Sequence, residues 1–391
     1  MAQPTSRIFA GIAKDTLNTT LASAVAAAAT SVPVVNATGI SASDSIIIVD
    51  GPNTETVAVS AVTGNTLTTA ALAYAHSANI YVVAQPTASL GPTEFIPVTS
   101  FEGSDTIKPL EDKGYRGSAV DNYGVVQGMR DGEVTIAGDI FADSFGYHVA
   151  AILGSEDFTS GTPNTHAFGV INTGNAQPDH YALFQFTPIN TRMWAGAKAT
   201  DLSIKAEPGS LLTYSAKYLA RASGVVGNPT ASFSTATPKP GWQGTVTIGG
   251  TAVQKLLSFD CDIKRDNPIA LPTFQGIQDP LDVFVGSVAV TGKLNFVVDD
   301  DSQYLNYLNN SQPTLVITFS SGSGASLMSV QIQVTKCSYE GAKIVTHGKA
   351  YMEVETNFTA IANTTDATAS GTGYSPVKVT LENTIASGVY L

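Results

Sequence analysis

Apolar and polar residues alternate one by one along much of this 391-residue chain, and a period of two restricts it to sheets with one dry face. Val134, Ile136 and Ile140 alternate with Glu133, Thr135 and Asp139. Leu202 and Ile204 alternate with Asp201, Ser203 and Lys205; Leu257, Phe259, Cys261 and Ile263 alternate with Ser258, Asp260, Asp262 and Lys264. Each segment reads as a strand with one buried and one wet side. Helical spacing is confined to Ser144–Leu153 and Ser302–Leu308, each preceded by an aspartate, Asp143 or Asp301, able to cap it. The expected class is mainly β.

An internal repeat narrows the fold further. Ser100-Phe101-Glu102 corresponds to Ser258-Phe259-Asp260, and the strand Glu133–Ile140 with Gly138 to Val288–Leu294 with Gly292. Asp143 and Asp300 each stand four residues before a tyrosine, Tyr147 and Tyr304. Between these anchors lie two long loops, Asp112–Gly132 and Asn267–Gly286. Beyond them come two hairpin-like stretches, Thr200–Ala222 and Ser338–Asn363, turning at Pro208-Gly209 and His347-Gly348. The offset is 154 from 138 to 292 and 158 from 100 to 258, as expected for a duplicated domain. The expected organisation is two tandem β-sandwich or barrel domains, 85–223 and 242–391, each with a short helix. A Gly/Pro/Ser/Thr-rich linker, 224–241, joins them, and residues 1–23 add an opening strand.

Residues Ala24–Ala84 form a separate block without lysine or arginine. Its strand candidates are Val32–Val35, Ser45–Val49, Thr56–Val62, Thr66–Thr69 and Ile80–Val83. Pro33 places the first at an edge, and Gly64-Asn65 marks a tight hairpin. The block reads as a small inserted β-module with its own modest core.

Composition excludes several functions. Lys+Arg 20 against Asp+Glu 32 gives a net charge of −12, which argues against a basic face gripping phosphates. No run reaches the ~18 apolar residues of a membrane helix. Cys261 and Cys337 cannot build a disulfide scaffold, and neither they nor the five histidines show metal-ligand spacing. There is no nucleophile elbow, P-loop or dinucleotide fingerprint, and Ser323 within Ser321–Gly324 reads as a hairpin tip. The run Asp299–Asp301 reads as a helix cap rather than a calcium site. Trp194 and Trp242 open strands and suit interface packing better than ligand stacking. The expectation is a non-enzyme without cofactor or metal.

The order of the pieces resembles the major tail tube proteins of long-tailed bacteriophages, in the subgroup with a duplicated tube fold. The residues that carry the resemblance are Arg7–Asp15, Glu94–Val98, Trp194–Glu207 before the Pro208-Gly209 turn, Trp242–Ile248, Val288–Phe296 and Val377–Thr384. The resemblance implies rings stacked into a hollow tube around a tape-measure protein, joined to tail-end proteins. DNA would pass through the lumen without specific binding, and assembly would take place in the host cytoplasm. Single-domain members close with six copies, so a duplicated chain implies a homotrimeric, pseudo-hexameric ring with the inserted module outside as a knob. Ring-stacking positions are expected on the two long loops, at Lys113, Tyr115, Arg116, Phe274, Ile277 and Leu281. Lumen-lining positions are expected at Glu133, Asp139, Asp260 and Asp262. Two other readings stay open: a distal tail or hub ring protein of the same fold, and a surface β-sandwich adhesin. Self-assembly into filaments, single rings or nothing separates the three.

Overall fold

The computed structural model describes residues 9–14, 17–85, 95–114, 116–118, 120–227, 231, 233–298, 300–346 and 351–391. Its backbone is mainly β with two α-helices among the described residues. Among the described residues, eight strands form a continuous antiparallel run within a twelve-stranded sheet. The other four strands, Phe9–Lys14, Phe95–Ile96, Tyr181–Phe186 and Gly224–Val226, join it through Thr191–Ala206. The eight are β1 Ser100–Asp112, β2 Gly124–Asp139, β3 Thr191–Ala206, β4 Thr213–Ala220, β5 Leu256–Arg265, β6 Val288–Val297, β7 Cys337–Thr346 and β8 Met352–Ala360. Their order is β1-β2-β4-β3-β5-β6-β8-β7, so the second four strands repeat the first four in the same topology.

The strand register relates the two halves at several positions. Phe101 lies opposite Ile136 and Phe259 opposite Leu294. A bulge interrupts β3–β4 between Ala199 and Asp201, and the same bulge interrupts β7–β8 between Tyr339 and Gly341. Bulges bend and twist a strand, so two at one place give the halves one curvature. The expected match of Gly138 with Gly292 is corrected by the register. Val134 faces Tyr218 as Gly292 faces Phe358, whereas Gly138 faces Tyr214. Gly292 is forced locally, because a Cβ there would lie 2.2 Å from the Asp260 carbonyl oxygen and 2.5 Å from the Phe358 ring.

A second sheet of seven strands covers one face of the first, in the order Gly154–Thr159, Asn164–Val170, Lys378–Asn383, Met328–Val334, Leu315–Ser321, Gly244–Ile248, Thr251–Val253. The main core fills the space between, from Val134, Ile136 and Tyr218 to Phe259, Leu294 and Phe358. Helix α1, Phe145–Leu153, is buried in that space at all nine positions, whereas α2, Ser302–Leu308, buries none. Asp143 and Asp301 do not cap these helices through their side chains. The Ser302 amide donates instead to Asp300 Oδ1 at 2.8 Å, and the C-terminal end of α1 is closed by Arg265, which donates to the carbonyls of Ile152 (2.6 Å) and Leu153 (3.2 Å).

β1 and β2 remain paired out to Asp112 and Gly124, so the expected loop Asp112–Gly132 shrinks to 113–123. The hairpin projects beyond the sandwich, where neither face is covered. Its sequence therefore lacks the alternation that marks a half-buried strand.

The inserted module begins at Leu17 rather than Ala24. Six strands, in the order Leu17–Thr20, Tyr81–Gln85, Ser45–Val49, Glu55–Thr63, Thr66–Thr69, Ser31–Pro33, close on themselves through the Leu21–Val34 bridge. The Ala22 amide donates to Pro33 O and the Val35 amide to Thr20 O, both at 2.9 Å. Pro33 thus sits at the seam of a small barrel, as its missing N–H requires. Gly64 takes φ +57 in the expected two-residue turn. Ile46 and Ile48 point into the barrel, while Ile47, Val49, Tyr81 and Val83 pack on Phe184, Phe186 and Met193 of the larger body. The unbroken apolar run Ile46–Val49 is the sequence signal for a strand buried on both faces.

Candidate assembly interface

Along β2 and β5 the face that does not meet the core is polar. Glu133 and Asp139 on β2 and Asp260 and Asp262 on β5 all project from it, since their neighbours Val134, Ile136, Phe259 and Cys261 occupy the core. The sheet therefore brings the four carboxylates expected to line a lumen onto one surface. It also places lysines between them. Lys205 lies opposite Asp260, Asp260 opposite Lys293, and Asp201 between Lys217 and Lys264, with Lys264 Nζ 3.9 Å from Asp201. Cross-strand pairs of opposite charge are worth roughly 0.2–1 kcal/mol each. The alternation in the sequence already put Lys205 and Lys264 on the wet faces of their strands, but did not pair them with the carboxylates. The short strand Ile269–Ala270 lies over the first half of this face, beside Glu133 and Lys217.

Among the described residues the run β1 to β8 has an open strand edge at each end. β1 bonds only to β2, and β7 only to β8. Between the halves the corresponding edges are joined: β3 pairs β5 with Leu202 opposite Ile263, Ile204 opposite Cys261 and Ala206 opposite Phe259. Open edges expose unpaired amides and carbonyls that another strand can take up. β7 also leaves Ile344 exposed, and the uncovered helix α2 exposes Leu305 and Leu308.

The residues expected to stack rings are distributed unequally. Lys113 and Arg116 stand exposed at the tip of the β1–β2 hairpin, paired with Glu111 and Asp112; Tyr115 lies outside the described residues. Leu110, Val125 and Val126 expose apolar surface along the same hairpin. The second loop folds back on its own chain. Asp279 takes a bidentate pair from Arg130 (2.5 and 2.8 Å), and Arg221 donates to the carbonyls of Pro280 and Leu281, both at 2.6 Å. Ile277 packs against the module core, Leu281 is partly exposed, and Phe274 projects fully into solvent. The Arg130–Asp279 pair spans 149 positions and left no local trace in the sequence.

Chemistry is muted elsewhere. Cys261 and Cys337 are buried, and burial pushes the Cys261 thiol up to about 12, so neither is a reactive thiolate. Among the described residues no group of histidines, cysteines and carboxylates is arranged to hold a metal, and no helix is long and apolar enough to cross a membrane. Trp194 is buried against Phe101 with its indole N–H on Asp105 at 3.0 Å, so it is a core residue; Trp242 is 71% exposed. The turn His347-Gly348 lies outside the described residues.

A family model described as phage tail tube protein matches residues 70–360. That span holds β1 to β8 and leaves most of the small barrel outside it. No curated protein matches the chain.

Proposed function

The chain belongs to the phage tail tube protein family, whose members are structural parts of the virion tail, and from that premise we propose that three copies close into a ring through the open edges β1 and β7. One observation carries this reading: the seam β3–β5 inside the chain is a worked example of the contact. By the register, β7 residues follow β3 residues at 140 positions (Ala199 to Tyr339) and β5 residues follow β1 residues at 158 (Phe101 to Phe259). Translating the seam pairs Ile344 with Gly103 of the partner subunit, Lys343 with Ser104 of the partner subunit and Thr346 with Phe101 of the partner subunit. The junction is antiparallel, as the strand order demands, and closing the sheet removes both edges.

In such a ring the polar face lines the lumen and the second sheet lies outside. Alternating carboxylates and lysines give DNA no continuous basic lining to hold its phosphates. Stacked rings then form the conduit around the tape-measure protein. Ile344→Pro removes an amide from the β7 edge and is expected to leave a folded, monomeric chain without tubes, read by negative-stain microscopy and sedimentation. Cryo-electron microscopy of wild-type tubes counts the chains: six complete chains per ring, or tubes formed by Ile344→Pro, would refute this closure.

A further inference from the structure

Rings must also bind along the tube axis, and the two ends of the sheet differ. β5 runs from Leu256 to Arg265 beside antiparallel β3, so one end carries Ala206 and Leu256 and the other carries the loop after Arg265. At the first end Gly241 packs so closely that a Cβ would lie 1.9 Å from the Glu207 carbonyl oxygen, and its amide donates to Ser210 O at 2.8 Å. This contact pins the turn Gly241–Gln243 onto the Pro208-Gly209 turn. It leaves Trp242 at the rim of an apolar groove of about 250 Å³, where Val246, Val253, Leu256 and Phe319 show the parting of the two sheets. Nothing from the described chain fills the groove.

At the opposite end Phe274 projects from the tip of a hairpin closed by Leu271 N–H to Asp282 O and Leu281 N–H to Leu271 O, both at 2.9 Å. The tip from Ile269 to Gln278 carries no charge. It is fixed at its base by Arg130 and Arg221, so the ring is held out on an ordered mount. Phe274 cannot reach its own groove, because the ten residues of β5 span roughly 30 Å between the two ends.

On the stacked-ring reading above, we propose that Phe274 of one copy seats in the Trp242 groove of a second copy in the next ring. A knob and a hole on opposite ends make a head-to-tail contact that propagates instead of closing. A projecting aromatic that enters a groove lined by Val246, Val253, Leu256 and Phe319 beside a tryptophan has the composition of an interface hot spot. Both side chains are exposed in the single copy, so truncating either leaves the fold intact.

Phe274→Ala and Trp242→Ala should each still give rings yet raise the protein concentration needed for tubes at least about tenfold, with Trp242→Phe recovering most of it. As a second measurement, Phe274→Cys chains mixed with Trp242→Cys chains should join into disulfide-linked pairs on mild oxidation. The native thiols are buried and do not compete. Tubes at the wild-type concentration from both alanine variants, or no linked pairs in assembled tubes, overturn the knob-and-groove contact and leave ring closure standing. Wild-type protein that forms no rings at all overturns the ring reading itself, and this contact with it.

Discussion

The two halves of the sheet have the same strands, the same order and the same bulge, yet they are not equally finished. α1 is buried at all nine positions and α2 at none. α1 owes its burial partly to the following half, since β5 lies against β3 and Arg265 reaches the last carbonyls of α1. No strand of the described chain lies beyond β7, and Leu305, Leu308 and Ile344 stay exposed there. The first half also carries the module, docked on Phe184 and Met193. What the second half lacks is what a following half supplies, and the chain holds one such follower.

The comparison is broken most severely at Arg265, whose equivalent in the first half is Ile107. Arg265→Ala strands the buried carbonyls of Ile152, Leu153 and Gly286, at a cost of about 3 kcal/mol or more. Thermal unfolding should drop by several degrees, whereas Ile107→Ala should leave the single chain's melting unchanged and weaken assembly only. Equal melting of Arg265→Ala and wild type would mean that the following half does not hold α1.

The module provides a pH-dependent distinction between the halves. Burial by itself lowers the His76 pKa, but hydrogen bonds from its ring to Asp50 (3.0 Å) and Glu55 (2.8 Å) outweigh it and leave the pKa above the usual 6.5. A raised folded-state pKa stabilises fully below the unfolded value and loses that contribution as pH rises through the folded one. Between pH 6 and pH 9 the barrel should therefore lose stability, and His76→Gln should flatten the slope. An unchanged slope in that variant would assign the pH dependence elsewhere.

The smallest effect sharpens the contrast at α2. Asp300→Ala removes the acceptor of the Ser302 amide and should speed amide exchange in the first turn of α2, with global melting unaltered. Asp301→Ala should do neither, because its side chain makes no cap bond.

Docking of the module decides how its removal is to be read. A chain without Ala24–Ala84 would expose Phe184, Phe186 and Met193, so a loss of tubes in that deletion reports on solubility unless these are made polar as well.

Much of this was legible in the sequence. Alternation located the strands carrying Val134, Leu202 and Phe259, and the Ser-Phe-acid anchors fixed the repeat at 158 positions. Short helical spacing found α1 and α2 to within a residue. The glycine match failed because Gly138 and Gly292 are required by different close approaches, which a list of residues does not record.

By itself the sequence determined where strands lie and which side of each is dry, because burial of one face imposes a period of two on local residue order. Only the tertiary structure decided which edges pair and which stay open, which helix is covered, and that Arg130 meets Asp279. Those outcomes depend on contacts between distant segments, 61 positions apart at Leu202–Ile263 and 149 at Arg130–Asp279. Each is fixed by packing and hydrogen-bond satisfaction of the whole sheet, and no local pattern encodes it.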